Sequence, residues 1–320
     1  MGILAGFELA EVEEQLRRSL SSEVSFVAEL GDYLYRSGGK RLRPALAILF
    51  YRLLGARGLP PPLIEIAVAL ELIHLATLIH DDLLDGSAQR RSRPALWAVW
   101  GHRAAVLQGD FVFSRAFSIL NRQKARLRSL IVEAVEEILK GELLQEGLRW
   151  SLPTEEEYFA VVRGKTAALI STACAAGALL GNPRISASRF WAVRQAGLNL
   201  GIVYQMTDDL LDIFGDGELG KPRWRDRDGG WITLPFIRLL ERAAPGERER
   251  LRLLLRPREL TVAERADLLR RLERAKIREY LILEARALVT EAERLLAGWG
   301  EPGSEEALFE LMEALVERDR

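Results

Sequence analysis

The pentapeptide Asp-Asp-Leu-Leu-Asp occurs twice in this chain, at residues 81–85 and 208–212. Each copy ends a long segment that is rich in Leu, Ile, Val and Ala and has apolar residues at helical spacing. The segment before the first copy, from Ile64 to Leu84, is apolar on nearly every face. A helix of that kind has to be covered by other helices. The repeat therefore predicts a helical fold in which two long core helices end in carboxylates.

The rest of the chain has the same helical pattern. Thr154 with Glu157, and Thr261 with Glu264, fit capping boxes that begin helices. No segment alternates as a strand does, and none repeats at a fixed period. We predict one all-α domain over residues 1–320, with shorter helices after about residue 232. The clearest predicted helices are about 9–30, 129–147, 155–180 and 186–214, and the predicted breaks are 37–39, 58–62, 181–183, 215–230 and 300–303.

Charge, cysteine content and hydropathy exclude several classes of protein. Lys and Arg total 45 and Asp and Glu total 46, which argues against a nucleic-acid-binding protein. The single cysteine, Cys174, excludes an internal disulfide and a cysteine-built zinc site. The beginning of the chain lacks the features of a signal peptide, and the apolar run from Ile66 to Ile79 is too short to span a bilayer. We therefore expect a cytoplasmic protein without a transmembrane segment.

The aspartate spacing indicates a metal site. Carboxylates four residues apart stack on one face of a helix and repel each other, and a divalent cation reverses the sign of that interaction. Oxygen ligands alone favour Mg²⁺, which shares its coordination shell with substrate phosphates. A solvated acidic helix end is the alternative for one motif, but two copies without basic i,i+4 partners favour two facing carboxylate clusters around a polyanion. The aspartates are Asp81, Asp82, Asp85, Asp208, Asp209 and Asp212, with Gln205 one turn before the second motif.

Cationic residues for such a polyanion lie near both motifs. Lys40 and Arg43 are one turn apart at a glycine-led helix start, and Arg90-Arg91 follow the first motif. Arginine suits bidentate phosphate contacts, whereas lysine supplies a point charge. Two further lysines of this kind are Lys165, in Arg163-Gly-Lys-Thr166, and Lys221, in Gly220-Lys-Pro222.

Taken together, these segments resemble the trans-isoprenyl diphosphate synthases, or polyprenyl synthetases. The motifs are GGKRLRP, LIHDDLLD followed by Arg90-Arg91, GKT, and YQMTDDLLD followed by GKP, in the family's order over essentially the whole chain. The resemblance implies an all-α isoprenoid synthase fold around a central catalytic cavity and a homodimer. It also implies Mg²⁺, which we expect as three ions per active site.

The resemblance gives each motif residue an expected role. Asp81, Asp85 and Asp208, supported by Asp82, Asp209 and Asp212, would carry Mg²⁺ on the diphosphate of an allylic prenyl diphosphate. Lys40, Arg43, His74 and Arg91 would hold isopentenyl diphosphate. Arg90, Lys165, Thr166, Gln205 and Lys221 would line the allylic diphosphate, with Lys165, Thr166 and Gln205 beside the nascent carbocation. Departure of the diphosphate would leave an allylic cation that isopentenyl diphosphate attacks, so no nucleophilic side chain is required.

One position departs from the family pattern. Where the family has a second lysine before Thr-Leu-Pro, this chain has Trp231. A cation directed at the allylic diphosphate is then lost, unless Arg223, Arg225 or Arg227 replaces it. We expect weaker allylic binding or an altered lid, and retained activity.

The residues before the first motif bear on product length. In this family a large aromatic residue at that point stops elongation early, whereas this chain has Ala76 and Thr77. We therefore predict a medium- or long-chain product, with transient membrane contact for its release. The alternatives are a farnesyl or geranylgeranyl diphosphate synthase, a class I terpene cyclase, and an accessory subunit of a hetero-oligomeric synthase.

Overall fold

The computed structural model of the protein describes residues 9–91, 93–215, 224–300 and 302–317, so Lys221 and Arg223 lie outside the described residues. The predicted all-α class is confirmed, since the only strands in the described ranges are two residues long. These are β1 (Gln89–Arg90) and β2 (Arg93–Pro94), which pair antiparallel. The helices are α1 (Ala10–Leu20), α2 (Ser25–Arg36), α3 (Leu42–Leu53), α4 (Pro61–Leu84), α5 (Leu96–Leu120), α6 (Ala125–Leu148), α7 (Glu155–Val162), a π-helical turn (Arg163–Ala167), α8 (Ala168–Gly181), α9 (Ala187–Phe214), α10 (Arg225–Gly229), α11 (Leu234–Arg242), α12 (Pro245–Leu254), α13 (Val262–Arg274), α14 (Ile277–Leu296) and α15 (Pro302–Val316).

The helix boundaries agree with the sequence prediction in part. The predicted helix over 9–30 is two helices, because Ser21 is extended and the Ser22 hydroxyl accepts a hydrogen bond from the Val24 amide. Both predicted capping boxes are present, at the starts of α7 and α13. The segment predicted as one helix over 155–180 contains the π-helical turn, which apolar periodicity does not reveal. After residue 232 the helices are short only as far as α13, because α14 has 20 residues.

Helix α4 is a core helix, as its composition predicts. It packs against α1, α3 and α5, and its one buried acidic residue before the aspartate motif, Glu71, is paired with Arg41. Because α4 has 24 residues, the expectation that its apolar run is too short to span a bilayer is wrong. Pro61–Leu84 and Glu155–Gly181 are both long and apolar enough to cross one, but 67% and 83% of their apolar windows are buried in the protein.

The chain divides into two compact units. The first unit consists of Met1–Val135, Leu169–Gly197 and Leu296–Phe309, and it contains the first aspartate motif. The second unit consists of Glu136–Ala168, Leu198–Leu295 and Glu310–Arg320, and it contains the second. The single domain over 1–320 stays a prediction.

Candidate active site

In the first unit, the carboxylates of the first aspartate motif differ in their surroundings. Asp82 is 5% exposed, and both of its carboxylate oxygens accept hydrogen bonds from Arg90 Nε at 2.8 Å. Arg90 lies on β1, where the chain turns back after α4. Asp81 is half-buried and Asp85, at the end of α4, is exposed. The motif thus has one carboxylate that holds an arginine and two that solvent can reach.

The glycine-led loop before α3 meets the arginine that follows the first motif. Arg91 donates hydrogen bonds to the carbonyl oxygens of Ser37 and Gly38, and Arg41 donates to the same Gly38 oxygen at 3.3 Å. Arg41 is itself fixed by Glu13 at 2.7 Å and by Glu71 at 3.1 Å. The structure therefore brings together two motifs that are about fifty residues apart in sequence.

His74 lies one turn after Glu71 on α4, within this cationic group. Desolvation holds the pKa of its imidazole well below the usual range, and the positive charges of Arg43 and Arg91 lower it further. His74 is therefore neutral at physiological pH and can donate one hydrogen bond to an anion. Of the other predicted diphosphate ligands, Arg43 is buried at the start of α3 and Lys40 is exposed in the loop before it.

In the second unit, hydrogen bonds join three predicted residues in a row. Thr166 Oγ1 donates to Gln205 Oε1 at 2.8 Å, and Gln205 Nε2 donates to Asp209 Oδ1 at 2.8 Å. Asp209 is 1% exposed, and its other oxygen accepts from the Tyr158 hydroxyl at 2.7 Å. Sequence reasoning missed Tyr158, because a tyrosine two turns before Lys165 looks like a packing residue.

The π-helical turn presents Lys165 toward α6. Its Nζ lies 2.9 Å from Glu142 Oε2. The two backbones approach closely because both positions at the crossing are glycines, Gly141 and Gly164. A Cβ on Gly164 would lie 2.8 Å from the Glu137 carbonyl oxygen, so a larger residue would separate the elements. Glu142 is a second site residue that sequence reasoning missed.

Negative charge accumulates around the second aspartate motif. Asp212 accepts hydrogen bonds from the backbone amides of Arg225 at 3.1 Å and Asp226 at 3.4 Å. Desolvation raises the pKa of Asp209 to about 7, and it also raises the pKa values of Asp212 and Asp226. Repulsion from neighbouring aspartates adds to the increases at Asp209 and Asp226. Asp226 was not predicted from sequence.

This donor set suits Mg²⁺. Among the described residues, no three His, Cys, Asp or Glu side chains converge closely enough to form a complete cation site. Mg²⁺ does not need such a site, because it is usually held by one or two carboxylates together with water and substrate phosphates. Asp208 is half-buried on α9, and its neighbours Asp209 and Asp212 are held by hydrogen-bond donors. Donors of this kind orient metal-binding carboxylates in other proteins.

The structure excludes one of the three arginines that could replace the lysine missing at position 231. Arg227 is 1% exposed, and its guanidinium donates to the carbonyl oxygens of Leu254, Arg256 and Arg258 at 2.6–3.0 Å. It therefore braces the loop after α12 and does not replace the lysine.

A different arginine lies beside Trp231. The Arg149 guanidinium stands over the indole ring, 5.3 Å from its centroid. Arg149 Nε also donates to the Gly229 carbonyl oxygen at 2.9 Å. Position 231 is thus next to a cation that comes from the end of α6.

Comparison with known proteins agrees with the motifs. The sequence profile of the polyprenyl synthetase family matches residues 24–272. A short chain isoprenyl diphosphate synthase of Methanothermobacter thermautotrophicus is 36% identical over 96% of this chain and 95% of its own. The octaprenyl diphosphate synthase of Escherichia coli is 35% identical over 78% and 77% of the two chains. A polyprenyl synthase of Caulobacter crescentus, solved with calcium and isoprenyl diphosphate, superposes with a TM-score of 0.89 at 32% identity, covering 98% and 95%. The chain therefore belongs to the polyprenyl synthetase family of Mg²⁺-dependent trans-prenyltransferases.

Proposed function

We propose that the protein condenses isopentenyl diphosphate with an allylic prenyl diphosphate in a 1'-4, trans reaction. A new carbon–carbon bond forms, diphosphate leaves, and the product is an allylic diphosphate five carbons longer. The observation that carries the proposal is the row of hydrogen bonds from Thr166 through Gln205 to Asp209. It couples the π-helical turn that contains Lys165 to the second aspartate motif. Such a connection is expected at a site that binds both a leaving diphosphate and an allylic cation.

Each group has a distinct task at the allylic end. The aspartates would hold Mg²⁺, which we propose as three ions per active site, and the metal would supply positive charge that stabilises the leaving diphosphate. Asp81, Asp85 and Asp208 are the accessible carboxylates that would hold it. Asp82 holds Arg90 in place for the diphosphate, and Tyr158 and Gln205 hold Asp209. The oxygen dipoles of Thr166 and Gln205 would stabilise the allylic cation, and the diphosphate would accept the proton lost from C2 of the isopentenyl unit.

The cationic group of the first unit would bind isopentenyl diphosphate. Lys40, Arg43 and Arg91 supply positive charge, and neutral His74 supplies one hydrogen bond. Arg41 does not need to touch the substrate. Its ion pairs with Glu13 and Glu71 fix the loop that carries Lys40, so we assign it a positioning role.

Arg149 would supply the positive charge that the family obtains from the lysine at position 231. The indole ring of Trp231 and the Gly229 carbonyl oxygen keep its guanidinium next to that position. Lys221 would still serve the allylic diphosphate. One cation would thus replace another, and allylic binding would be weakened less than the loss of the lysine alone implies.

The product would be longer than farnesyl diphosphate. Ala76 and Thr77 are small, so neither of these two positions carries an aromatic side chain that could stop the growing chain. We also propose a cytoplasmic homodimer without a transmembrane segment. A dimer is supported by exposed apolar side chains on α5, where Val106, Leu107 and Phe117 are 45%, 68% and 43% exposed.

Product analysis tests the reaction against its alternatives. The purified chain is incubated with Mg²⁺, isopentenyl diphosphate and labelled farnesyl diphosphate. We expect prenyl diphosphates longer than farnesyl diphosphate. If the protein extends shorter allylic primers but leaves farnesyl diphosphate unextended, it is a short-chain synthase. A hydrocarbon product would indicate a terpene cyclase, and turnover only with an added partner would indicate an accessory subunit.

A matched pair of variants ties the activity to the aspartates. Asp85→Asn removes an accessible carboxylate of the first motif, and Asp32→Asn removes an exposed carboxylate on α2, also in the first unit. Turnover should fall by orders of magnitude only in Asp85→Asn. Equal activity of the two variants would contradict the proposed metal site.

A further inference from the structure

Positive charge is segregated at one end of the first unit. About one residue in seven of the whole chain is acidic, yet the segments 51–64, 121–132 and 181–195 contain no Asp or Glu. The same segments carry seven exposed cations. These are Arg57, Arg122, Lys124, Arg126, Arg128, Arg184 and Arg189.

Side-chain contacts join the three segments into one surface, which we call the basic end. Arg126, at the start of α6, stands over the ring of Phe190, at the start of α9, with 5.1 Å to the centroid. Arg189 stands in the same way over Trp299, at 5.0 Å. A Cβ on Gly181 would touch the Leu54 side chain at 3.2 Å, which places the end of α8 against the loop after α3.

Among the described residues, two carboxylates contact the edge of the basic end. Glu65 lies 3.6 Å from Arg122, and the Glu305 carboxylate accepts hydrogen bonds from the backbone amides of Trp299 and Gly300. Cations outnumber carboxylates across the described part of this surface, so it attracts anions.

The third of these segments also carries an exposed indole. Trp191 is 61% exposed, and it is the only exposed one of the seven tryptophans, all of which are described. It follows directly on Phe190, near the start of α9. Tryptophan beside Arg and Lys is the side-chain combination that binds at the headgroup level of an anionic bilayer.

The basic end is also placed where a prenyl tail would arrive. The contact of Arg122 with Glu65 lies near the start of α4, whereas Asp81 lies near its end. Sixteen residues of α-helix separate the two positions by about 24 Å. A chain that grows along α4 away from the aspartates therefore points toward the basic end. This step rests on the proposed function, whereas the attraction for lipid does not.

We propose that the basic end is a docking surface for anionic phospholipid bilayers, on which Trp191 inserts among the headgroups and the surrounding cations contact lipid phosphates. Docking there brings the apolar tail of the product to the phase in which it dissolves. It gives the expected membrane contact a defined place on the protein.

Vesicle co-sedimentation of the full chain, without substrate, tests the proposal. We compare neutral phosphatidylcholine vesicles with vesicles containing phosphatidylglycerol. Binding to the anionic vesicles should be roughly tenfold stronger or more, and it should decline as salt is added. Lys124→Glu/Arg128→Glu should lower that binding roughly tenfold or more, and Trp191→Ala should lower it severalfold.

Arg250→Glu/Arg252→Glu is the matched control, because it makes the same change of charge at exposed residues of α12 in the second unit. It should leave vesicle binding unchanged. The proposal is overturned if wild type does not prefer anionic vesicles or if the two double variants lose binding equally. It is also overturned if a short RNA duplex competes fully and depends on the same residues. Condensation activity on soluble substrates, assayed in parallel, reports separately on the proposed function.

Discussion

The pairing of Arg149 with Trp231 makes a testable claim about how this chain binds its allylic substrate. Arg149→Ala removes the guanidinium over the indole and the hydrogen bond to the Gly229 carbonyl oxygen. A hydrogen bond in which one partner is charged, such as one from this guanidinium to a diphosphate oxygen, contributes about 1.5–3 kcal/mol. Because the Arg149 side chain is 32% exposed, we take the lower limit of about 1.5 kcal/mol, which corresponds to about tenfold in an equilibrium constant.

Initial rates with each substrate varied in turn provide the assay. Arg149→Ala should raise the KM for the allylic diphosphate about tenfold and leave the KM for isopentenyl diphosphate nearly unchanged. The decisive variant is Arg149→Ala/Trp231→Lys, which returns a cation to the position where the family has one. It should recover most of the lost allylic affinity.

Two results would refute the reasoning. An unchanged allylic KM in Arg149→Ala would mean that the guanidinium does not act on the diphosphate. Failure of Trp231→Lys to rescue the variant, with both proteins folded, would mean that Arg149 only braces the loop. That loop is tightly built, because Gly230 has a φ of 95° and a Cβ there would lie 2.7 Å from the Trp150 ring.

Three further predictions concern pH, isopentenyl binding and product length. The pKa of Asp209 is about 7 in the folded protein, against an ordinary value of 3.8. In metal-free protein, the stability that Asp209 contributes is therefore present below about pH 4 and is lost as the pH rises through 7. Denaturant unfolding in EDTA should therefore give a free energy about 2–3 kcal/mol lower at pH 8 than at pH 5, and Asp209→Asn should lack that part of the pH dependence. A Cβ at Gly39 would lie 2.7 Å from Arg41 Nη1 and 3.0 Å from Arg91 Nη1, so Gly39→Ala should raise the KM for isopentenyl diphosphate more than the allylic KM. Equal effects in initial-rate measurements would contradict this placement. Ala76→Phe should shorten the products separated by thin-layer chromatography, and an unchanged ladder would disprove the elongation path along α4.

The sequence predicted the parts of the site that depend on local spacing. Asp81 and Asp85 lie at the end of α4, and Asp208 and Asp212 lie near the end of α9. These positions were predictable because four-residue spacing and apolar runs are local signals. The capping box at Thr154 fixed the start of α7 for the same reason. Family resemblance added the chemistry that those signals leave open.

The missed residues depend on contacts between distant segments. Tyr158 reaches Asp209 across 51 positions, and Glu142 reaches Lys165 across 23. Arg149 meets Trp231 only because the end of α6 packs against the loop before α11. Arg227 illustrates the opposite error. A charged residue next to a predicted site looked like a ligand, and it is buried against backbone carbonyl groups.

The glycine contacts around the π-helical turn have a consequence for how the enzyme can evolve. Gly141 and Gly164 bring two backbones together without side chains between them, and Gly201 does the same between α9 and Ala167. Contacts of this kind leave no compressible layer that could absorb a mutation. A mutational library in search of new product lengths should therefore tolerate wide variation near Ala76 and almost none at these three glycines. Natural diversification of product length and strict retention of the chemistry would then draw on separate sets of positions.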